Sequence, residues 1–475
     1  MNPFLNPSIA IPFLKNYIAD TNRIERLSSK DLEKYRNKAF RKIVAYAYTV
    51  PLYKKKYKEA GIHPSDIKDL KDITKIPFVS RQELNENFPD GIVPPTFNKQ
   101  KGLVICTGGT TGKYCCNSGS EPVCIYTNVL NLLRGTLVSF RENRFYGLNL
   151  KITRFAHIGN FNPFKIDEVF DKNVMKHIRS FFSFKNYLAM QASNRTREIL
   201  DKLNDFQPNV IISYPTIFQD LAYLKKKGFG KNIKPKILFV GGAMLDDYTR
   251  SYVEDVFGCH MYNTYSSCES GAEIAFECTQ RNWHIHSDFF HLEAVNENLE
   301  PVSPGKRGHL VITRLWGGGT PLIRYTGMKD WITLGNGKNC SCGLKSPIFG
   351  RPVEGRVLSN IILPDGTRYP PSNFLFTITN VLKSFNTFKV LRYQIIQKKI
   401  DEIEIQLVID HDLNDTGPTF NEMAKQIEKK YREKTGPKVN ITVNEVEEIK
   451  DDPTTGKPAP LVVSQISQNS ICDLT

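Results

Sequence analysis

Val210-Ile211-Ile212-Ser213-Tyr214-Pro215, Ile237-Leu238-Phe239-Val240-Gly241-Gly242 and His260-Met261-Tyr262-Asn263 are three short apolar runs, each broken by turn-forming or polar residues. The first is followed by a helix-like stretch from Ile217 to Lys227, the second by helix-like sequence near Tyr252, and the third by a polar loop, Asn263 to Glu269. Strand–helix–strand repetition implies a parallel sheet with right-handed crossovers. Such sheets bind ligands outside the carboxyl ends of their strands. Gly241–Gly242 and Asn263 to Glu269 leave the sheet at that edge, so the chemistry is expected there.

Outward from this core the pattern changes. Upstream, Ser28 and Asp31 form a capping pair, and Leu32, Tyr35, Phe40, Ile43, Val44 and Ala47 recur at helical spacing until Pro51, which is expected to stop the run. After about Val295 the chain turns strand-rich, with runs at His309 to Thr313, Pro321 to Tyr325 and Trp331 to Leu334. Beyond Arg351, Phe388 to Gln397 and Glu402 to Ile409 read as paired strands, Phe420 to Tyr431 as a helix with Met423 and Ile427 on one face, and Val439 to Val443 as another strand. The expected fold is α/β. Residues 1–350 form a large N-terminal unit with a helical start, an α/β core of parallel sheet and a β-rich subdomain; residues 351–475 form a small α+β unit.

A chain of 475 residues exceeds a single core, and 40% hydrophobic with 11% aromatic content is ordinary for a globular protein. The formal net charge is +15, and Lys225, Lys226, Lys227, Lys231, Lys234 and Lys236 form a basic run. No nucleic-acid module surrounds that run, so nucleic acid is not an expected partner; a basic field that collects anionic substrates is. The apolar run Ile9 to Leu14 is too brief to span a membrane and lacks a cleavage site, so a cytoplasmic protein is expected. Ten cysteines without an export signal favour thiols and metal ligands over disulfides.

Three segments carry chemistry. In Thr107-Gly108-Gly109-Thr110-Thr111-Gly112-Lys113, glycines let backbone amides point at an anion, hydroxyls add donors and the lysine adds charge; the glycine spacing is not that of a P-loop. In Tyr265-Ser266-Ser267-Cys268-Glu269 an aromatic ring can stack on a base, small polar residues can bond phosphate oxygens and a carboxylate can hold magnesium. Pro453-Thr454-Thr455-Gly456-Lys457 presents a lysine beside a glycine, able to neutralise charge developing on a transferring group. Each alone also reads as a surface loop.

In order and type these segments resemble the adenylate-forming superfamily of acyl-CoA synthetases, luciferases and peptide-synthetase adenylation domains. Tyr46 to Tyr53, Ala60-Gly61-Ile62 and Ile76-Pro77-Phe78 look like the phenylacetate–CoA ligase and capsular-polysaccharide (CapK-like) branch. The resemblance runs from about Tyr35 to Val462. It implies that Thr107 to Lys113 embrace the ATP phosphates, that Gly241, Gly242 and Ala243 line the adenine pocket, that Tyr265 lies against adenine and that Glu269 holds Mg²⁺. It implies further that Arg351 contacts ribose, that Glu354 sits at an inter-domain hinge and that Lys457 reaches the reacting carboxylate and phosphate. The sequence departs from the family at Ser266 and Cys268, which replace a glycine and a threonine. It departs again in Arg324-Tyr325-Thr326-Gly327-Met328-Lys329-Asp330, where the ribose-binding aspartate is displaced and Asp330 is its stand-in.

The implied activity is ATP-dependent activation of a carboxylic acid, an aryl or related small acid, to an acyl-adenylate with transfer to coenzyme A. A carrier-protein thiol or an amine is an alternative acceptor, and a non-catalytic nucleotide- or acyl-binding protein an alternative of another class. Cys278, His284, Cys340 and Cys342 offer three thiolates and one imidazole, a set suited to a closed tetrahedral Zn²⁺; His286 competes as a ligand.

Overall fold

The computed structural model describes residues 7–107, 123–149, 152–159, 186–335, 340–354, 359–453 and 456–466. Its strands are β1 (Leu103–Thr107), β2 (Val123–Thr127), β3 (Phe155–Gly159), β4 (Tyr187–Gln191), β5 (Val210–Ser213), β6 (Ile237–Val240), β7 (His260–Ser266), β8 (Glu273–Glu277), β9 (Trp283–Ile285), β10 (Phe290–Val295), β11 (Arg307–Arg314), β12 (Trp331–Thr333), β13 (Ile361–Ile362), β14 (Arg368–Tyr369), β15 (Val390–Lys399), β16 (Glu402–Ile409), β17 (Asn440–Glu445) and β18 (Val462–Ser464).

The expected parallel sheet is present. A seven-stranded sheet runs β4-β3-β5-β6-β7-β8-β9, parallel from β4 to β7 and antiparallel beyond. Helices Thr196–Phe206, Pro215–Lys226 and Asp247–Phe257 pack on it through Ile199, Leu203, Phe218, Leu221 and Val253 against Ile211, Leu238 and Val240. β5 and β6 have the bounds read from the apolar runs. β7 is longer than its apolar run because β8 pairs with it, setting Thr264 opposite Phe276 and Tyr265 opposite Ala275. Pairing carries these polar residues onto the strand end, where a loop was expected.

One other expectation needs correction, and one helix was not foreseen. The helix Ser29–Ala47 is capped as read, with the Ser28 hydroxyl accepting from the Asp31 amide at 3.1 Å, and it ends ahead of Pro51 as expected. Pro51 also opens a second helix, Pro51–Glu59, in the first turn where a missing N–H is harmless. Pro321 to Tyr325 is no strand: Pro321 lacks an amide, Arg324 takes a left-handed φ of 48°, and Tyr325 makes only isolated bridges to Val79 and Ile312. β10, β11 and β12 form the β-rich sheet beside it. Cys124 is disulfide-bonded, so thiols and metal ligands are not the whole of the cysteine chemistry.

The C-terminal sheet has the order β17-β16-β15-β18 and packs on helices Pro371–Ser384 and Phe420–Thr435. Its core gathers Phe374, Leu382, Ile395, Ile405, Met423 and Ile427, and Tyr248 enters it from the preceding region. The Tyr248 hydroxyl donates to the Val390 carbonyl at 2.9 Å, and the Tyr248 and Tyr252 rings lie 5.6 and 5.3 Å from that of Phe388. Among the described residues no helix is long and apolar enough to cross a membrane.

Candidate active site at the carboxyl edge of the sheet

The glycine pair after β6 is held by close approach. Gly242 has φ 73°, and a Cβ there would stand 2.8 Å from a ring carbon of Tyr214; a Cβ on Gly241 would stand 2.7 Å from the Thr264 hydroxyl. Neither position accepts a side chain, so Gly241 packs on Thr264 and Gly242 on Tyr214, with half-buried Ala243 following.

Tyr265 and Asp330 come together. The tyrosine hydroxyl donates to Asp330 Oδ2 at 2.5 Å, and its ring meets Phe349 edge-on at 6.4 Å. Left-handed backbone at Lys329 (φ 55°) turns the chain just before the displaced aspartate, and Met328 tucks under Ser267, whose hydroxyl reaches its sulfur at 3.4 Å. The sequence departure therefore leaves a carboxylate beside the tyrosine.

Glu269 is set by a small hydroxyl-bonded turn. Ser267 and Ser270 exchange amide-to-hydroxyl bonds of 3.2 and 3.0 Å, with Ser266 and Cys268 exposed beside them. Gly271 packs so tightly on the helix Val129–Phe145 that a Cβ on Gly135 would meet its carbonyl at 1.9 Å. The Glu269 carboxylate is buried and accepts from Arg81 at 2.9 Å; Arg81 also donates to the Gly327 carbonyl at 3.1 Å, so one guanidinium ties Glu269 to the Asp330 segment. A second arginine, Arg314, donates to the Glu269 carbonyl at 3.4 Å and to Thr320 O at 2.5 Å; burial pulls its pKa down to about 10. Sequence reasoning missed both arginines. Arg81 is the first residue of a short helix, inside its capping box Ser80–Glu83, and nothing local marks it as a counter-ion.

Thr107 ends β1; Gly108, Gly109, Thr110, Thr111, Gly112 and Lys113 lie outside the described residues. Arg351 is exposed. Glu354 is buried, with its amide on the Trp331 carbonyl at 3.1 Å and its carboxylate 3.6 Å from Arg307. Lys457 is exposed on a loop turned by bonds from the Gly456 amide to Asp452 O (2.7 Å) and from the Asp452 amide to Lys457 O (2.9 Å). Gly456 has φ 63°, and a Cβ there would lie 2.4 Å from the Ala192 carbonyl carbon, immediately past the carboxyl end of β4. The C-terminal loop thus docks on the edge that carries Gly241, Tyr265 and Glu269.

Cys278, His284, Cys340 and Cys342 converge with their ligand atoms within 4.8 Å of one another. Cys278 and Cys340 sulfurs are 3.6 Å apart, and Cys342 Sγ is 3.3 Å from His284 Nε2. Tetrahedral zinc, with bonds of about 2.3 Å to sulfur and about 2.0 Å to nitrogen, needs separations of about 3.8 and about 3.5 Å. The Ser346 hydroxyl, 3.0 Å from His284 Nδ1, fixes the ring with Nε2 toward the cluster. Amides of Gln280, Cys342 and Leu344 point at the three sulfurs at 3.4–3.5 Å. Burial pushes the Cys342 thiol up to about 12 and the His284 ring down to about 4, so the imidazole is neutral as a ligand must be, while the thiol calls for a cation to lose its proton. His286 is not part of this cluster: it takes a 3.1 Å bond from Arg141 and stacks on Phe276 at 4.9 Å.

Residues 374–464 match the family model of the CapK C-terminal domain. The chain is 24% identical over 424 residues to a phenylacetate-coenzyme A ligase of Thermus thermophilus, covering 85% of this chain and 86% of that one. It is 25% identical over 317 residues to the phenylacetate-coenzyme A ligase of Escherichia coli K12, covering 64% and 67%. The fold matches 2-hydroxyisobutyryl-CoA ligase in its postadenylation state with a TM-score of 0.74 at 16% identity, over 95% of this chain and 93% of that one. The same ligase in its thioesterification state, with CoA, matches at 0.57 and 16% identity, over 93% and 91%. The resemblance drawn from the loop segments, to adenylate-forming enzymes and to the phenylacetate–CoA ligase and CapK-like branch within them, is borne out.

Proposed function

We propose that this chain is an adenylate-forming acid–thiol ligase, which joins a carboxylic acid to AMP from ATP and then passes the acyl group to coenzyme A. The observation that carries the reading is convergence: Gly241–Gly242, the Tyr265–Asp330 pair, buried Glu269 and the Lys457 loop share one edge of a parallel sheet. In the first half-reaction a carboxylate oxygen attacks the α-phosphorus in line and pyrophosphate leaves. In the second, the CoA sulfur attacks the acyl carbon and AMP leaves.

Catalysis of the first step is positioning and charge stabilisation. The Gly241–Ala243 wall and Tyr265 hold the adenine, and Asp330 takes ribose hydroxyls. Thr107 to Lys113 bind the phosphates, Arg351 approaches the ribose, and Lys457 bonds the oxygens on which charge changes. Glu269, whose Oε1 takes Arg81, would hold Mg²⁺, an ion usually bound by one or two carboxylates plus substrate phosphates. The ion supplies neutralisation of the phosphate charge. The orientation of the C-terminal unit, beginning near residue 351 with Glu354 as its hinge, is read as the adenylating one; the higher TM-score with the postadenylation state supports this.

Carboxylate-dependent ATP–pyrophosphate exchange over a panel of aryl, hydroxy and fatty acids tests the reading, and the mass of a CoA thioester tests the acceptor. Exchange with no acid would refute it. Lys457→Ala should raise the adenylation barrier by about 3 kcal/mol or more; an unchanged exchange rate would remove that lysine from the mechanism.

The Cys278, His284, Cys340 and Cys342 cluster is proposed as a closed, structural Zn²⁺ site, with no position left for a substrate water. Purified protein should carry one equivalent of zinc, and Cys340→Ser should lose it together with thermal stability. Full stability without zinc would overturn the assignment.

A further inference from the structure

In the proposed reaction Lys457 acts only when its loop is docked, and among the described contacts those at the root of the loop are polar. Arg392, on β15, reaches across to Asp220 of the helix Pro215–Lys226 at 2.7 Å. The same guanidinium bonds Asp451 at 3.1 Å and the Ile449 carbonyl at 3.0 Å, both at the root of the loop. Asp451 in turn accepts from the Ala459 amide at 3.0 Å, closing the base of the loop on its far side. The tip is then fixed by Gly456 against Ala192. Arg392 therefore joins a residue of the sheet domain to the root of the segment that bears Lys457, and Asp451 links that root to the far side.

We propose that Arg392, held between Asp220 and Asp451, is a positioning residue for adenylation: it latches the Lys457 loop onto the sheet edge and must release Asp220 when the C-terminal unit turns for the second half-reaction. The latch rests on the reading of Lys457 given above. The contact that parts is Arg392–Asp220, since Asp451 travels with Arg392: the guanidinium is 16% and the carboxylate 32% exposed, so the pair is partly screened while docked and fully hydrated once parted. Attraction and rehydration then nearly balance, as a contact made and broken in every cycle requires. The flexible, unbranched pairs Lys227 with Asp410 and Asp412, and Lys383 with Asp247 at 3.4 Å, lie on the same interface but do not touch the loop.

Asp220→Asn and Arg392→Gln in the full chain test this by hydrogen–deuterium exchange and by separate half-reactions. In both variants amides of residues 449–459 should exchange about tenfold faster, with β15 and β16 unchanged, as expected for truncating a half-buried charge pair. Pyrophosphate exchange, with the acid that serves the parent chain, should fall about tenfold, while thioester formation from supplied acyl-adenylate and CoA stays within about threefold. Arg392→Lys should restore part of the first half-reaction. Faster exchange throughout the C-terminal unit, or parallel loss of both half-reactions, would mean a merely structural role and overturn the latch. Lys457→Ala separates the two ideas: exchange lost there but kept in Asp220→Asn overturns the latch alone, and exchange kept in Lys457→Ala overturns both.

Discussion

Glu269 and Lys457 meet at one sheet edge but are held there in opposite ways. Glu269 is built into the core: its carboxylate is buried, Arg81 and Arg314 bind its carboxylate and carbonyl, and the Gly135–Gly271 contact clamps the following turn. Lys457 sits exposed on a loop that, among the described contacts, is held by the Arg392–Asp220–Asp451 charge contact and by Gly456 against Ala192. The difference teaches how labour is divided. On the proposed function, the Glu269 half would be set before substrate arrives, lowering the reorganisation that charge stabilisation would otherwise need. The lysine half would be assembled for one step and withdrawn for the next.

The comparison breaks most directly at Arg81. Arg81→Ala leaves a buried carboxylate unpaired and should cost about 3–5 kcal/mol of folding stability. Adding Glu269→Gln to that variant should recover much of the loss, since the coupling belongs to the pair. Denaturant unfolding of the two single variants and the double gives the coupling; additive effects would show that Glu269 is not held by this ion pair. Lys457→Ala, by contrast, should leave stability within about 0.5 kcal/mol, as for other exposed positions.

Gly456→Ala sharpens the other side. The new methyl would lie 2.4 Å from the Ala192 backbone in a left-handed conformation, so the loop cannot dock without moving that strand end. The adenylation barrier should rise by about 3 kcal/mol, matching Lys457→Ala, because each removes the same charge from the transition state. Unfolding midpoints should stay close to the parent's. A normal exchange rate in Gly456→Ala would show that the loop acts without docking on Ala192.

What could be read from the sequence follows the same division. β5 and β6 were legible to the residue because strands buried on both faces are continuous apolar runs, and β16 matched its run as well. The zinc-type cluster was legible because soft ligands are rare and their types alone limit the chemistry. The counter-ions were not. Arg81 meets Glu269 across 188 residues and Arg392 meets Asp220 across 172, and an arginine that neutralises a buried acid looks in sequence like any surface arginine. The length of β7 was hidden for a related reason: its polar end is a strand only because β8 folds back on it.

Even the rigid half carries a group sensitive to pH. Arg36 donates to His291 Nδ1 at 3.0 Å, which requires a neutral ring, and burial, with Arg36 and Arg324 nearby, brings the imidazole down to about 3. The unfolded chain takes up that proton near the ordinary value of about 6.5. Because the folded value is the lower one, the contribution to stability is whole above about pH 6.5 and is lost progressively as pH falls toward 3. At pH 5 the deficit is about 2 kcal/mol for this one site. His291→Gln keeps an acceptor for Arg36 but cannot be protonated. The parent's stability relative to this variant should therefore fall by about 2 kcal/mol between pH 7 and pH 5, as urea unfolding at the two values would measure. Other buried histidines titrate equally in both proteins and cancel. A difference that does not move with pH would mean that the folded ring takes up its proton as readily as the unfolded one, and that the β-rich sheet around His291 is less closed than its packing implies.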